Sequence, residues 1–291
     1  MIKKKVAIGA LARNCEKNLP DNIRRIEELR EHFSESSVFV YENNSTDLTK
    51  EILRDWHGKS KDVNILIEDI DETIYKSMTN VGKQYSGSTK VRIQKMCDCR
   101  NKLLQLIFGK GEYDLIIFVD IDVAWFSVTG VVSAIENAPE GWNGLFSNCY
   151  VSYKCDNNTQ IKPRHYDTFA YLDKGRLIKE LNVDSINSRK RLSMGSKIFK
   201  RINKEGYFKC ESAFGGIGIY RAACIKDLAY EIYEPKAWDN SDVSLCEHIY
   251  FNSKIEGGKY IAKDLEVCYF YFDVNRLKFY LVKIISVLNG F

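Results

Sequence analysis

The chain has 291 residues, enough for one large or two small domains, with 45% hydrophobic and 28% charged residues; that excludes a disordered, collagenous or coiled-coil protein. With only 4 prolines it is not a loop-rich or linker-rich chain, and its +4 charge is too small by itself to indicate a nucleic-acid binder.

Residues 6–12 are an apolar run after a basic start, and 5–11 are predicted as a buried strand. The run is far shorter than the roughly 20 apolar residues that a membrane span needs, so neither a secretory signal nor a transmembrane segment is expected. Residues 21–33 place Ile23, Ile26, Leu29 and Phe33 at helical spacing. A strand over 37–41 leads into a polar turn over 42–47. A helix follows from about 47 to 56, with Ser45-Thr46-Asp47 readable as its N-cap. A third strand over 63–67, a long helix over 90–108 and an apolar strand over 114–119 complete this half. Continuous apolar strands alternating with helices predict an α/β class, with a Rossmann-like, mostly parallel sheet covered on both faces.

In the second half, 142–153 and 212–220 read as strands. Between them, 174–209 is poor in apolar residues and carries eleven Lys or Arg against three acids, a net +8 that leaves −4 for the rest of the chain. It reads as a loop closing over a diphosphate, as a dock for an anionic acceptor, or as a solvated surface loop. Sparse aromatic interleaving argues against nucleic acid as a partner. Residues 274–291 have helical apolar spacing and are expected to pack on the core or to rest weakly on a membrane surface. The 9 cysteines are odd in number and irregularly spaced, as expected of reduced, buried thiols in a cytoplasmic protein. Cys97 and Cys99, two apart on a helix, diverge and suit zinc poorly.

Ligands of parallel α/β sheets sit at the carboxyl ends of the strands. Residues 12–14, 42–47, 68–71 and 120–122 fall there, and they are polar and mostly acidic. Asp120-Ile121-Asp122 is the sharpest of these. Alternation puts both carboxylates on one side of the chain and Ile121 on the other. Two hard carboxylates at a strand end suit Mn²⁺ or Mg²⁺ with substrate phosphates. Arg100 follows Ile93 by seven residues on the apolar stripe of the 90–108 helix, so its guanidinium needs an inward anion. The aspartate pair, a bound diphosphate and a structural ion pair all qualify. Glu247-His248 is a candidate for a catalytic base and a third metal ligand. Glu247 also closes a capping-box pattern with Ser244, and His248 can equally be a satisfied core histidine.

Ala12-Arg13-Asn14, Tyr41-Glu42-Asn43-Asn44-Ser45-Thr46-Asp47, Cys99-Arg100-Asn101 and Phe118-Val119-Asp120-Ile121-Asp122 together resemble a GT-A glycosyltransferase with its DxD motif. Tyr166-Asp167-Thr168-Phe169-Ala170, the run from Ser212 to Tyr220 and Cys246-Glu247-His248 resemble more narrowly the fungal capsule-type α-1,3-mannosyltransferases, over about residues 6–268. The resemblance implies one GT-A-like catalytic domain over 1–291. Residues 1–125 would be its nucleotide-sugar half, 126–270 its acceptor half with the basic insertion, and 271–291 a terminal amphipathic helix. It implies that Ala12, Arg13, Asn14, Glu42, Asn44 and Asp47 surround the nucleotide, and that Arg92 and Arg100 serve the donor. Asp120 and Asp122 would hold the metal and diphosphate, with His248 as a further ligand. Tyr166, Asp167, Gly215 and Gly216 would face sugar or acceptor, the glycines by close backbone approach or, on the plainer reading, as a β-bulge. Inversion would use Glu247 as base, whereas retention would call on Glu211 or Asp239 to stabilise an oxocarbenium-like state.

The function implied is metal-dependent transfer of a sugar from a nucleotide-sugar donor to a hydroxyl of a glycan or glycoconjugate acceptor, which the basic segment allows to be anionic. A sugar-1-phosphate nucleotidyltransferase is the alternative enzyme, but its glycine-rich loop after the first strand is replaced here by Ala10-Leu11-Ala12-Arg13-Asn14-Cys15. A catalytically inactive nucleotide-sugar or glycan-binding module is the non-enzymatic alternative.

Overall fold

The computed structural model describes residues 1–76, 90–155, 158–161, 165–174, 188–233 and 244–273. Asp239, the terminal helix expected over 274–291 and residues 175–187 of the basic segment lie outside the described residues.

Four strands build the first half: β1 (Ile2–Ala12), β2 (Phe33–Asn43), β3 (Val63–Glu68) and β4 (Leu115–Asp120). They run in parallel in the order β3-β2-β1-β4, so all four carboxyl ends share one rim. Helices α1 (Leu19–Arg30), α2 (Thr49–Lys59), the short α3 (Thr73–Lys76) and α4 (Lys90–Phe108) connect them. Strand alternation divides the core into two clusters. Val6, Ile8 and Ala10 of β1 and Ile117 and Val119 of β4 pack on one face with Ile26 of α1 and Leu53 of α2. Ala7, Ile116 and Phe118 pack on the other with Ile93, Leu103 and Ile107 of α4.

The sheet continues through the second half. After β5 (Trp125–Phe126) and α5 (Val128–Glu136), β6 (Trp142–Cys155) and β7 (Asn158–Ile161) form an antiparallel pair. Helix α6 (Ser188–Glu205) and β8 (Tyr207–Lys209) precede β9 (Ile217–Arg221), which lies antiparallel between β4 and β6. After α7 (Glu247–Ser253), β10 (Gly258–Asp273) pairs in parallel with β6. The result is one 10-stranded sheet, mixed but mostly parallel and flanked by helices, the α/β class expected from the sequence. Among the described residues no helix is long and apolar enough to cross a membrane.

Several local expectations are corrected. The 21–33 helix lies at Leu19–Arg30, because Phe33 is drawn into β2 and buries with the core. Helix α2 starts at Thr49 with Leu48 in the N-cap position and no side-chain cap. Ser45 instead accepts the N–H of Asn14, and Asp47 accepts those of Glu16 and Thr49. The capping box at 244–247 does not form, because Cys246 is the N-cap and no side chain caps the helix. The basic segment is not a loop throughout: α6 anchors on buried Ile198 and Ile202, while Lys197, Lys200, Arg201 and Lys204 are exposed. The 212–220 strand shortens to Ile217–Arg221, since Ser212 bridges to Leu172 and two glycines then turn the chain.

Ile117 is fully buried in the central strand. Ile117→Ala should lower unfolding free energy by about 2–5 kcal/mol, from lost burial plus the cavity left behind, as measured by urea denaturation.

Candidate active site

A cavity of about 590 Å³ opens at the carboxyl ends of β1, β2 and β4. Ala12 and Arg13 enter it from the end of β1, Asn43 from β2, and Asp120 and Asp122 from the end of β4. Helix α4 presents Arg92, Lys95, Cys99 and Arg100. The segment from Tyr166 to Phe169 and the start of α7, with Glu247 and His248, close the other side.

Arg100 is the pivot. The same periodicity that buries Ile93 and Leu103 buries it, to 6% exposure. Its Nε donates to Oε1 of Glu247 at 3.0 Å, and its Nη2 lies 4.0 Å from Oδ1 of Asp120. The guanidinium also stands 5.0 Å from the Phe214 ring centre and 5.6 Å from that of Tyr230, where cation–π attraction adds to the ion pair. Asn101, the next residue, exchanges two hydrogen bonds with the Tyr230 backbone and fixes that wall.

Burial pushes the Asp120 carboxyl up to about 8 against the opposing pull of Arg100, and nearby Asp122 adds to the rise. Burial raises Asp122 as well. Two neighbouring carboxylates at a cavity mouth, Asp120 partly buried and Asp122 more open, suit a cation. Ile121 between them is fully buried, as alternation predicts. The donor set fits Mn²⁺ or Mg²⁺: two hard carboxylates open to a cavity that Arg13, Arg92, Lys95 and Arg100 also face. Among the described residues no three His, Cys, Asp or Glu side chains group as a metal site, so oxygens of the substrate would have to complete the shell.

His248 is 2% exposed, stacked on Phe214 with ring centres 3.9 Å apart. Neither ring nitrogen has a hydrogen-bond partner among the described residues, and Nε2 lies 3.7 Å from Oε1 of Glu247. Burial, and then Arg100, push its pKa well down, so the ring is neutral, the form that can ligate a metal. Glu247 itself is engaged by Arg100, and a role as general base has to compete with that ion pair.

Of the remaining expected residues, Tyr166 and Asp167 line the cavity and the others lie around it. Oδ1 of Asn14 accepts the N–H of Thr46, and Asn44 exchanges two hydrogen bonds with the backbone of Ile70. Glu42 is fully buried and accepts the N–H of Ser45. With Asp47 these residues tie the β1, β2 and β3 loops together. Gly215 and Gly216 have φ of +70° and +96° and form a turn. A Cβ on Gly215 would lie 2.6 Å from Oγ of Ser147, so the close approach is to β6. The turn serves the site through its backbone: Gly216 accepts the N–H of Asp120, and Gly215 donates to Oδ2 of Asp167. Glu211 lies 4.0 Å from Lys259 and does not line the cavity. Tyr166, at the rim, stacks on Tyr269 at 4.9 Å.

Sequence reasoning missed Lys95, Glu72 and Tyr269. Lys95 was findable, since it shares the helical stripe of Arg92 and Cys99. Glu72 pairs with both Arg13 and Lys95, which hold its carboxyl below the usual range. Its partners come from β1 and α4, so no local pattern reveals it. Tyr269 comes from β10, and only the sheet order brings it to the Asp120 loop.

Arg100→Met should cost about 3–5 kcal/mol, because it strands a buried carboxylate, and adding Glu247→Gln should recover part of the loss in urea titrations. His165 supplies a pH dependence. Burial lowers its pKa from 6.5 to about 4, so between those values the unfolded chain binds more protons than the native one. The stability that neutral His165 contributes should therefore be lost as pH drops from 6.5 to 4, so the urea midpoint of His165→Gln should rise relative to that of wild type across that range.

Solved structures similar to this chain share little sequence with it. The mannosyltransferase PcManGT from Pyrobaculum calidifontis, in complex with GDP-Man and Mn²⁺, is 11% identical with TM-score 0.42, over 79% of this chain and 48% of that one. S. aureus TarS 1–349, in complex with UDP-GlcNAc, is 17% identical with TM-score 0.45, over 92% and 58%. Glucosyl-3-phosphoglycerate synthase from Mycobacterium tuberculosis, in complex with UDP, is 15% identical with TM-score 0.32, over 50% and 44%. The chain spans about half the length of these proteins. No curated protein matches it. The family described as Cryptococcal mannosyltransferase 1 matches residues 5–270, nearly the whole sheet, and the chain belongs to that family of glycosyltransferases.

Proposed function

We propose that the protein transfers a sugar from a nucleotide-sugar donor to a hydroxyl of a glycan or glycoconjugate acceptor, with Mn²⁺ or Mg²⁺ held by Asp120 and Asp122. The observation that carries this reading is the lining of one cavity: four carboxylates, Asp120, Asp122, Asp167 and Glu247, beside four cations, Arg13, Arg92, Lys95 and Arg100, with Glu247 taken up by Arg100. Neither set alone calls for a diphosphate. Together they suit a metal-bridged diphosphate, whose charge exceeds what one divalent cation neutralises. Family membership supports the reaction class and makes mannose the first sugar to test.

Arg13 and Asn43, at the ends of β1 and β2, would meet the nucleotide, and α4 the diphosphate. Arg100, held by Glu247 beside Asp120, needs no reorganisation to meet developing negative charge on the leaving group. A divalent cation between the aspartates and the diphosphate would supply the remaining charge stabilisation. His248, neutral and buried in the same cavity, would have to move toward the aspartates to be a further ligand, since the three do not group as they stand. Tyr166, Phe169 and Asp167 stand where the acceptor would enter, and the stacked Tyr166 offers a sugar ring an apolar face. We assign the reaction to a cytoplasmic, reducing setting, supported by the free thiols of the described cysteines.

The test is a thermal-shift screen of nucleoside diphosphates and nucleotide sugars, GDP-mannose first, with and without Mn²⁺. Binding to the native state raises the melting temperature. A shift that requires both nucleotide and Mn²⁺ is expected. Asp122→Ala should abolish the Mn²⁺-dependent part and lower sugar transfer by about 100-fold or more, as losing several kcal/mol of charge stabilisation implies. Transfer retained by Asp122→Ala in EDTA would overturn the metal-dependent reading.

A further inference from the structure

Helix α1 carries two asparagines where its own stability calls for something else. Its buried stripe is Leu19, Asn22, Ile26 and Leu29, so Asn22 interrupts an otherwise apolar face and is fully buried. Asn18 is in the N-cap position, where its side chain would ordinarily accept a helix N–H, yet it makes no such bond. Both amides are turned to one target. Asn22 Nδ2 donates to the carbonyls of Ile121 at 2.8 Å and Val123 at 2.7 Å, using both of its protons. Asn18 Nδ2 donates to the carbonyl of Asp122 at 2.6 Å. Three successive carbonyls of the loop bearing the aspartates are thus satisfied by two side chains one helical turn apart.

The opposite edge of that loop is held by the sheet. Asp120 N–H donates to Gly216, and Ala124 N–H to Tyr269. A turn gripped along its carbonyl edge by α1 and at its ends by strands has little freedom to rotate. From this geometry we infer that Asn18 and Asn22 are positioning residues of the cation site, holding the backbone of 121–123 so that the Asp120 and Asp122 carboxylates are presented together to the cavity. The inference rests on the metal reading above. Partners that orient a metal ligand in this way typically change affinity by about 10–100-fold when removed.

The test compares wild type with Asn18→Ser and Asn22→Leu. Serine keeps a good N-cap but cannot reach Asp122, and leucine continues the apolar stripe while removing both donors. Mn²⁺ is titrated alone and with GDP or UDP, following loss of the free-ion electron paramagnetic resonance signal, and hydrogen exchange is measured on the metal-free proteins. Asn18→Ser should weaken Mn²⁺ binding about 10-fold. It should speed exchange at residues 121–124 and leave the metal-free melting temperature near that of wild type. Unchanged Mn²⁺ affinity in Asn18→Ser, with wild type binding normally, overturns the positioning role alone. Absence of Mn²⁺ binding to wild type overturns the metal reading and this role with it. If Asn22→Leu does not fold, Asn18→Ser decides.

Discussion

The buried ion pair between Arg100 and Glu247, with Asp120 at its edge, is the constraint around which the molecule is arranged. A guanidinium and a carboxylate removed from water lose several kcal/mol of solvation each, and only close pairing and added contacts offset that loss. Here the offset draws on distant segments: α4 supplies Arg100, the start of α7 supplies Glu247, and the end of β4 supplies Asp120. Phe214 and Tyr230 give the charge its aromatic walls. The pair therefore joins the first half of the sheet to the second across the floor they share with the cavity. Glu247 answers Arg100 directly, leaving the aspartates to face the cavity and its remaining cations.

Backbone satisfaction is the second theme. The loop after β4 leaves the sheet, so its carbonyls lose ladder partners, and buried carbonyls must find others. Asn18 and Asn22 provide them, giving up a cap and an apolar contact to do so. The Gly215-Gly216 turn works from the other side. Its left-handed backbone and lack of Cβ atoms let it press on β6 while its peptide groups hold Asp120 and Asp167. In both places residues outside the cavity wall govern what the wall presents.

Much of the first half was legible. The strands and helices of the first half, the parallel sheet, the inward Arg100 and the paired aspartates with Ile121 behind them all follow from periodicities of two and 3.6, which report burial directly. The two capping misreadings share one cause. Ser45-Thr46-Asp47 and Ser244 to Glu247 have the composition of caps, but Asn14 claims Ser45 and Arg100 claims Glu247. Local capping motifs state what a side chain can bond to, and a charge or donor brought by another element can override the local one. In the basic segment, scarce apolar residues suggest a loop, whereas Ile198 and Ile202 suffice to seat a helix whose other face is charged.

By itself, then, the sequence determined the class of fold and which polar residues gather at the carboxyl ends of its strands, Asp120 and Asp122 among them, because these depend on alternation, helical spacing and residue type along a continuous chain. Tertiary structure alone decided that Glu247 answers Arg100, that Glu72 spans Arg13 and Lys95, that Tyr269 and Tyr166 stack beside the aspartates, and that two asparagines of α1 hold the loop. Each of these joins residues far apart in the chain, and the order of strands in the sheet, which no local pattern encodes, is what brings them within reach.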